Sequence, residues 1–140
     1  MEPLTMRFNV STEDFSKAGE ASGVVKKTLK ELGFEPDVIR RVAIAMYEAE
    51  INMVIHANGG EIIVNISPEL IQAEFNDSGP GISDVDLAMK EGWSTASEKV
   101  RELGFGAGMG LPNIKKYTDY LEVDSKVGIG TKVLIKIFVI

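Results

Sequence analysis

The chain has 140 residues, no cysteine and a net charge of −6. That length suits one domain, 1–140, with a single core, and the missing thiols exclude a disulfide framework and thiolate chemistry. The acidic balance excludes a general nucleic-acid binder, because a surface that tracks phosphates is basic.

Met1 to Val10 lacks the charged-then-apolar pattern of a leader, and Met6 to Val10 reads as a short strand. Ser11, Thr12 and Asp14 offer N-cap chemistry for a first helix, which runs to about Leu32 and stops at Gly33. Glu35-Pro36-Asp37 opens a longer helix, with proline near its first position, that continues to about Ala57 and ends at Asn58-Gly59-Gly60. Glu61 to Ser67 and Leu70 to Asn76 are rich in Ile and Val and read as a hairpin turning at Ser67-Pro68-Glu69. Asp84 to Glu91 reads as a short helix, Gly92 to Gly108 as irregular, and Met109 to Thr118 as helix. Tyr120 to Ser125 and Thr131 to Phe138 form a last hairpin around Gly128-Ile129-Gly130. No apolar run approaches the ~20 residues of a membrane helix, so a cytoplasmic protein without a membrane contact is expected.

Strands in sequential hairpins predict an α+β fold. We expect a two-layer α/β sandwich, a mixed and mostly antiparallel sheet with helices on one face. Alternating β and α units with parallel crossovers, as a dinucleotide-binding sheet needs, are missing.

The second helix is apolar over most of its circumference. Val42, Met46, Ala49 and Met53 make one stripe, Ile44, Ile51 and Ile55 another, and Glu48 and Asn52 lie between them next to Ala45. A helix apolar nearly all round is buried, and a buried carboxylate needs a partner, a proton or a metal. Glu48 and Asn52, one turn apart, can face a metal together; the alternative is a structural acid satisfied by N–H groups. Glu50 is expected to be solvated. His56, near the helix C-terminus, reads as a cap or dipole partner or as a ligand.

Two glycine clusters follow. Asp77-Ser78-Gly79-Pro80-Gly81-Ile82 begins where an apolar strand ends, which suits a binding residue and equally a turn. Gly104-Phe105-Gly106-Ala107-Gly108-Met109-Gly110-Leu111 leads into a helix whose free N–H groups suit an anion. Alternating glycines let backbone approach such an anion closely. The cluster is neither a dinucleotide fingerprint, since no strand directly precedes it, nor a P-loop, since Gly-Lys-Ser/Thr is missing.

Together with Gly128-Ile129-Gly130-Thr131, the segments Glu48-Ala49-Glu50-Ile51-Asn52, Asp77 to Ile82 and Gly104 to Leu111 resemble the N, G1, G2 and terminal boxes of the GHKL (Bergerat-fold) ATPases. Histidine kinases, gyrase, chaperones and mismatch-repair proteins share these boxes. Within that superfamily the chain looks most like the small stand-alone serine kinases of anti-sigma regulation, and Ala88 to Thr95 and Gly108 to Lys115 resemble the switch kinase of the stressosome more than the anti-sigma factors themselves. The resemblance implies a protein serine/threonine kinase that uses ATP and Mg²⁺. It implies Glu48 as the general base and Asn52 as the Mg²⁺ ligand. It implies Asp77 on the adenine amino group, supported by Thr131 directly or through water. Gly79 and Gly81 would let the loop pass the base beside Ile82. Gly104, Gly106, Gly108, Met109, Gly110 and Leu111 would wrap the phosphates, and Asp84 to Gly108 would be the lid. The second cluster contains no lysine; Lys99 and Arg101 are the nearby cations.

The implied partner is a small STAS-domain (anti-anti-sigma-like) protein, with a phosphatase or sigma factor as a further partner. Two alternatives use the same loops. One is a nucleotide-binding module acting by sequestration or activation of a partner. The other is a detached histidine kinase catalytic domain.

Overall fold

The computed structural model describes residues 2–10, 18–56, 60–77, 110–126 and 128–139. The elements are β1 (Leu4–Val10), α1 (Glu20–Glu31), α2 (Pro36–His56), β2 (Gly60–Ile66), β3 (Leu70–Asp77), α3 (Gly110–Tyr117), β4 (Tyr120–Lys126) and β5 (Gly130–Phe138). The caps expected at Ser11, Thr12 and Asp14, and the helix expected over 84–91, lie outside the described residues.

The strands form one five-stranded sheet in the order β1-β2-β3-β5-β4. Every pairing among the described residues is antiparallel, where the sequence reading expected a mixed, mostly antiparallel sheet. Strand residues alternate between the two faces. Ile62, Val64, Ile66, Ile71, Ala73, Phe75, Ile135 and Ile137 point inward and are buried. They meet Val25 and Leu29 of α1, Val42, Ala45, Met46, Ala49 and Met53 of α2, and Leu111 and Ile114 of α3 in one core. The opposite face carries polar pairs such as Lys132 Nζ–Glu74 Oε1 at 3.2 Å.

The elements end where local chemistry ends them. Gly33 has φ 82°. Its N–H donates to Lys30 O, and the Phe34 N–H donates to Leu29 O, so α1 closes in a Schellman turn. Pro36 opens α2, where its missing N–H costs nothing. Ser67 closes the first hairpin: its N–H and hydroxyl both donate to Leu70 O, at 2.9 Å each.

The start of α1 corrects the sequence reading. The helix begins at Glu20, after Gly19 in the left-handed region at φ 92°. A Cβ at Gly19 would come within 2.8 Å of the Tyr47 ring, so the turn excludes a side chain on two counts. No side chain of the turn itself caps the helix. Glu50 of α2 does so instead. Its Oε2 accepts from the Gly19 and Ala21 N–H groups at 3.0 and 3.2 Å, and its Oε1 from the Ser22 N–H at 3.0 Å. A carboxylate there also matches the positive end of the helix dipole. Glu50, expected in solvent, is only 2% exposed.

This cap predicts a stability effect. Glu50→Ala leaves buried N–H groups without an acceptor, so it should cost at least about 2 kcal/mol in urea unfolding. Glu50→Gln, which keeps one acceptor oxygen, should fall between it and wild type. A loss within the ~0.5 kcal/mol of a surface substitution would contradict the cap.

Candidate functional site

Connectivity brings the candidate residues to one end of the sheet. The last residue of β3, Asp77, pairs with Gly60, the first residue of β2. Gly60 follows the end of α2 at His56 by a short connection, so the C-terminal turns of α2, with Asn52, lie toward the Asp77 end. Helix α3 leads into Tyr120, which pairs with Lys136 toward the far end of β5. The N-terminus of α3 at Gly110 therefore points back toward Asp77.

Antiparallel packing of α2 and α3 is fixed at the far end by Arg41. Its Nη2 lies 3.0 Å from Asp119 Oδ1, and its Nε donates to the Tyr117 carbonyl at 3.3 Å, capping the negative end of α3. Asp119 in turn accepts from the Phe138 N–H at 2.7 Å, tying the clamp to β5.

At the Asp77 end the contacts are polar. The Thr131 N–H donates to Asp77 Oδ1 at 3.2 Å, across the neighbouring strands β3 and β5. Thr131 thus supports Asp77 through its backbone, while its own hydroxyl pairs with Ser125 Oγ of β4 at 2.8 Å. Thr131 is 9% exposed, so this chain of polar contacts is anchored in protein.

On α2, Glu48 and Asn52 are both half-buried, one turn apart. Asn113 of α3 donates from Nδ2 to Glu48 Oε1 at 3.4 Å. Burial pushes the Glu48 carboxyl above the ordinary glutamate range, and the Asn113 amide partly offsets this. Among the described residues no three acidic or histidine side chains converge as a metal cage. An amide oxygen at Asn52 suits an ion held mostly by water and phosphate oxygens, the usual coordination of Mg²⁺.

Of the expected site residues, Glu48, Asn52, Asp77, Thr131, Gly110 and Leu111 fall within the described structure. Asp77 and Thr131 meet directly. Leu111 places its side chain in the core at 7% exposed and lies in the first turn of α3, whose N–H groups have no partner within the helix. Gly79, Gly81, Ile82, Gly104, Gly106, Gly108, Met109, Lys99 and Arg101 lie outside the described residues. Sequence reading missed Asn113 and Ser125 as site residues. Asn113 is detectable as the polar position between Leu111 and Ile114, which both face the core.

A buried helix offering an acid and an amide, an acid at a strand end, and a helix N-terminus led by Gly110 thus lie toward one end of a two-layer sandwich. The histidine kinase-like ATPase domain family matches residues 12–137, and the chain belongs to that family. It is 30% identical to the serine/threonine-protein kinase RsbT of Bacillus subtilis, over 77% of this chain and 78% of that protein. It is 34% identical to an anti-sigma F factor of Clostridium beijerinckii, over 71% of each chain. Among solved structures, a Mycobacterium tuberculosis protein with RsbU and RsbW domains superposes at TM-score 0.63 and 14% identity, covering 98% of this chain and 32% of that one. The mycobacterial sensor histidine kinase MprB gives 0.53 and 14%, covering 96% of this chain and 97% of that one. At that identity these two structures speak to the fold. No helix among the described residues is long and apolar enough to cross a membrane.

The half-buried Glu48 carries a stability cost with a defined pH dependence. Its folded-state pKa is raised, so the fold prefers the neutral carboxyl. The stability this confers is present at acid pH and is lost as pH rises through the folded pKa. Glu48→Gln does not titrate and keeps an acceptor for Asn113. It should therefore melt higher than wild type at pH 7, with the difference shrinking as pH falls through the Glu48 titration. A difference constant from pH 4 to pH 8 would contradict the raised pKa.

Proposed function

We propose that this chain is an ATP-dependent serine/threonine protein kinase of the anti-sigma and switch-kinase type. It acts in the cytoplasm on a small STAS-domain regulatory protein, with a phosphatase or sigma factor as a further partner. The observation that carries this reading is Glu48. A half-buried carboxyl with raised proton affinity lies one turn before Asn52, on the helix that runs toward Asp77. A pure nucleotide-binding module has no need of such a base, and the names of the similar curated proteins favour a serine/threonine kinase over a histidine kinase.

Asp77, Thr131, Glu48 and Asn52 take roles that their positions allow, and the remaining roles rest on the likeness of the sequence boxes. Asp77, steadied by the Thr131 N–H, accepts a hydrogen bond from the adenine amino group. By the likeness of the sequence boxes, Gly79 and Gly81 would admit the base beside Ile82, and Gly104, Gly106, Gly108, Met109, Gly110 and the Leu111 N–H would line the phosphates. Asn52 would hold Mg²⁺, which when bound would offset charge on the phosphate oxygens. Glu48 accepts the proton of the partner's hydroxyl as its oxygen attacks the γ-phosphorus of ATP. The bond from that phosphorus to the β,γ-bridging oxygen breaks, and ADP departs with the electron pair. Transfer of this kind depends on positioning and electrostatics more than on covalent catalysis.

Two variants test the assignment. Asp77→Asn turns an acceptor toward donor character against the adenine amino group, so ATP affinity in calorimetry should fall about tenfold or more. Glu48→Gln should bind ATP as wild type does but lose ~10²–10⁴ in single-turnover transfer to a purified STAS-domain protein. Unchanged ATP affinity in the first, or a near-wild-type rate in the second, removes that residue from the mechanism.

A further inference from the structure

We propose that Asn113 is a positioning residue for this kinase: its side-chain amide fixes Glu48 Oε1 and so presents Oε2 as the proton acceptor. The inference rests on the kinase reading of Glu48 and adds a residue to it.

The geometry is specific. Asn113 Nδ2 approaches Glu48 Oε1 to 3.4 Å between two half-buried side chains on different helices. Neither helix is free to turn. Leu111 and Ile114, at 7% and 0% exposed, set the rotation of α3. Arg41 sets its distance from α2 through the 3.0 Å contact with Asp119 and the 3.3 Å bond to the Tyr117 carbonyl. The direction of the Asn113 side chain is therefore decided by the core and by a clamp about a turn away along α3. Asparagine is also a poor helix former, because its amide competes for backbone groups. Here that amide is spent on Glu48.

The chemistry requires this kind of donor. A carboxylate that is to take a proton must be ionised yet basic. Burial raises the proton affinity of Glu48, and a lysine or arginine beside it would lower it. A neutral N–H donor stabilises the ionised form without adding charge. Among the described residues, burial and the Asn113 amide are the influences on the Glu48 carboxyl. With Oε1 engaged, the hydroxyl proton of the attacking serine or threonine passes to Oε2.

The test uses the full chain carrying Asn113→Ala or Asn113→Asp. Alanine favours helix, and aspartate matches asparagine in volume while losing the donor, so neither should prevent folding. The Glu48 carboxyl carbon is followed by ¹³C NMR against pH without nucleotide. Its midpoint should rise by roughly half a unit or more in Asn113→Ala and further in Asn113→Asp. ATP affinity should stay within about twofold of wild type, while single-turnover transfer to a STAS-domain protein at pH 7 falls about tenfold. An unchanged Glu48 midpoint in both variants overturns the inference, as does a slowed transfer without a shifted midpoint. A midpoint that shifts in the variants while the wild-type chain transfers no phosphate overturns the kinase reading instead, so the two failures are distinguishable.

Discussion

Burial of the middle of α2 shields Glu50 almost wholly and Glu48 in part from water, and a different neighbouring helix supplies the partner for each of these two acids. Glu50 faces α1 and takes three of its backbone N–H groups. Glu48, about 200° further round the helix, faces α3 and takes the Asn113 amide. The first contact is complete: a carboxylate surrounded by donors at a helix N-terminus, contributing to stability. The second is incomplete, and burial leaves Glu48 more basic than an ordinary glutamate. One helix thus holds together a fully satisfied carboxylate and one with raised proton affinity, two residues apart.

The sheet supplies the other half of the site. With every described pair antiparallel, the end of β3 lies beside the starts of β2 and β5. Asp77 is thereby set against Thr131, and Thr131 against Ser125, through contacts that cross three strands. The direction of α3 follows from its connection to β4 and from Arg41 at its C-terminus. Its glycine-led N-terminus is consequently turned toward the same end. The far-end clamp and the near-end site are parts of one arrangement, because a helix fixed at its C-terminus has its N-terminus fixed as well.

Much of this was legible in the sequence, for local reasons. Strand alternation, Pro36 and Gly33 mark element boundaries by backbone chemistry that acts within a few residues. The acid–amide pair on α2 was visible because both the apolar stripes and the one-turn spacing are local. What was hidden depended on distant backbone. Glu50 looked like a solvated acid because nothing near it in sequence reveals the α1 N-terminus that it caps. The start of α1 was misplaced for the same reason: Ser11, Thr12 and Asp14 have cap chemistry, whereas Gly19 has none and borrows its cap from α2. Asn113 belonged to a recognisable run, yet its role depends on helix packing. Thr131 was expected to support Asp77, and does so by its N–H, a detail set by strand register.

The central claim, a base on α2 directing phosphate to a hydroxyl of a separate protein, is tested most directly by the linkage formed. The chain is incubated with Mg²⁺ and ATP labelled in the γ-phosphate, together with a purified STAS-domain protein, and the label is challenged with acid and with alkali. The account predicts label on the partner that survives acid and is released by alkali, as phosphoserine is. His56 ends the same helix as Glu48, about two turns on. Acid-labile label on this chain, abolished by His56→Ala, would contradict the account.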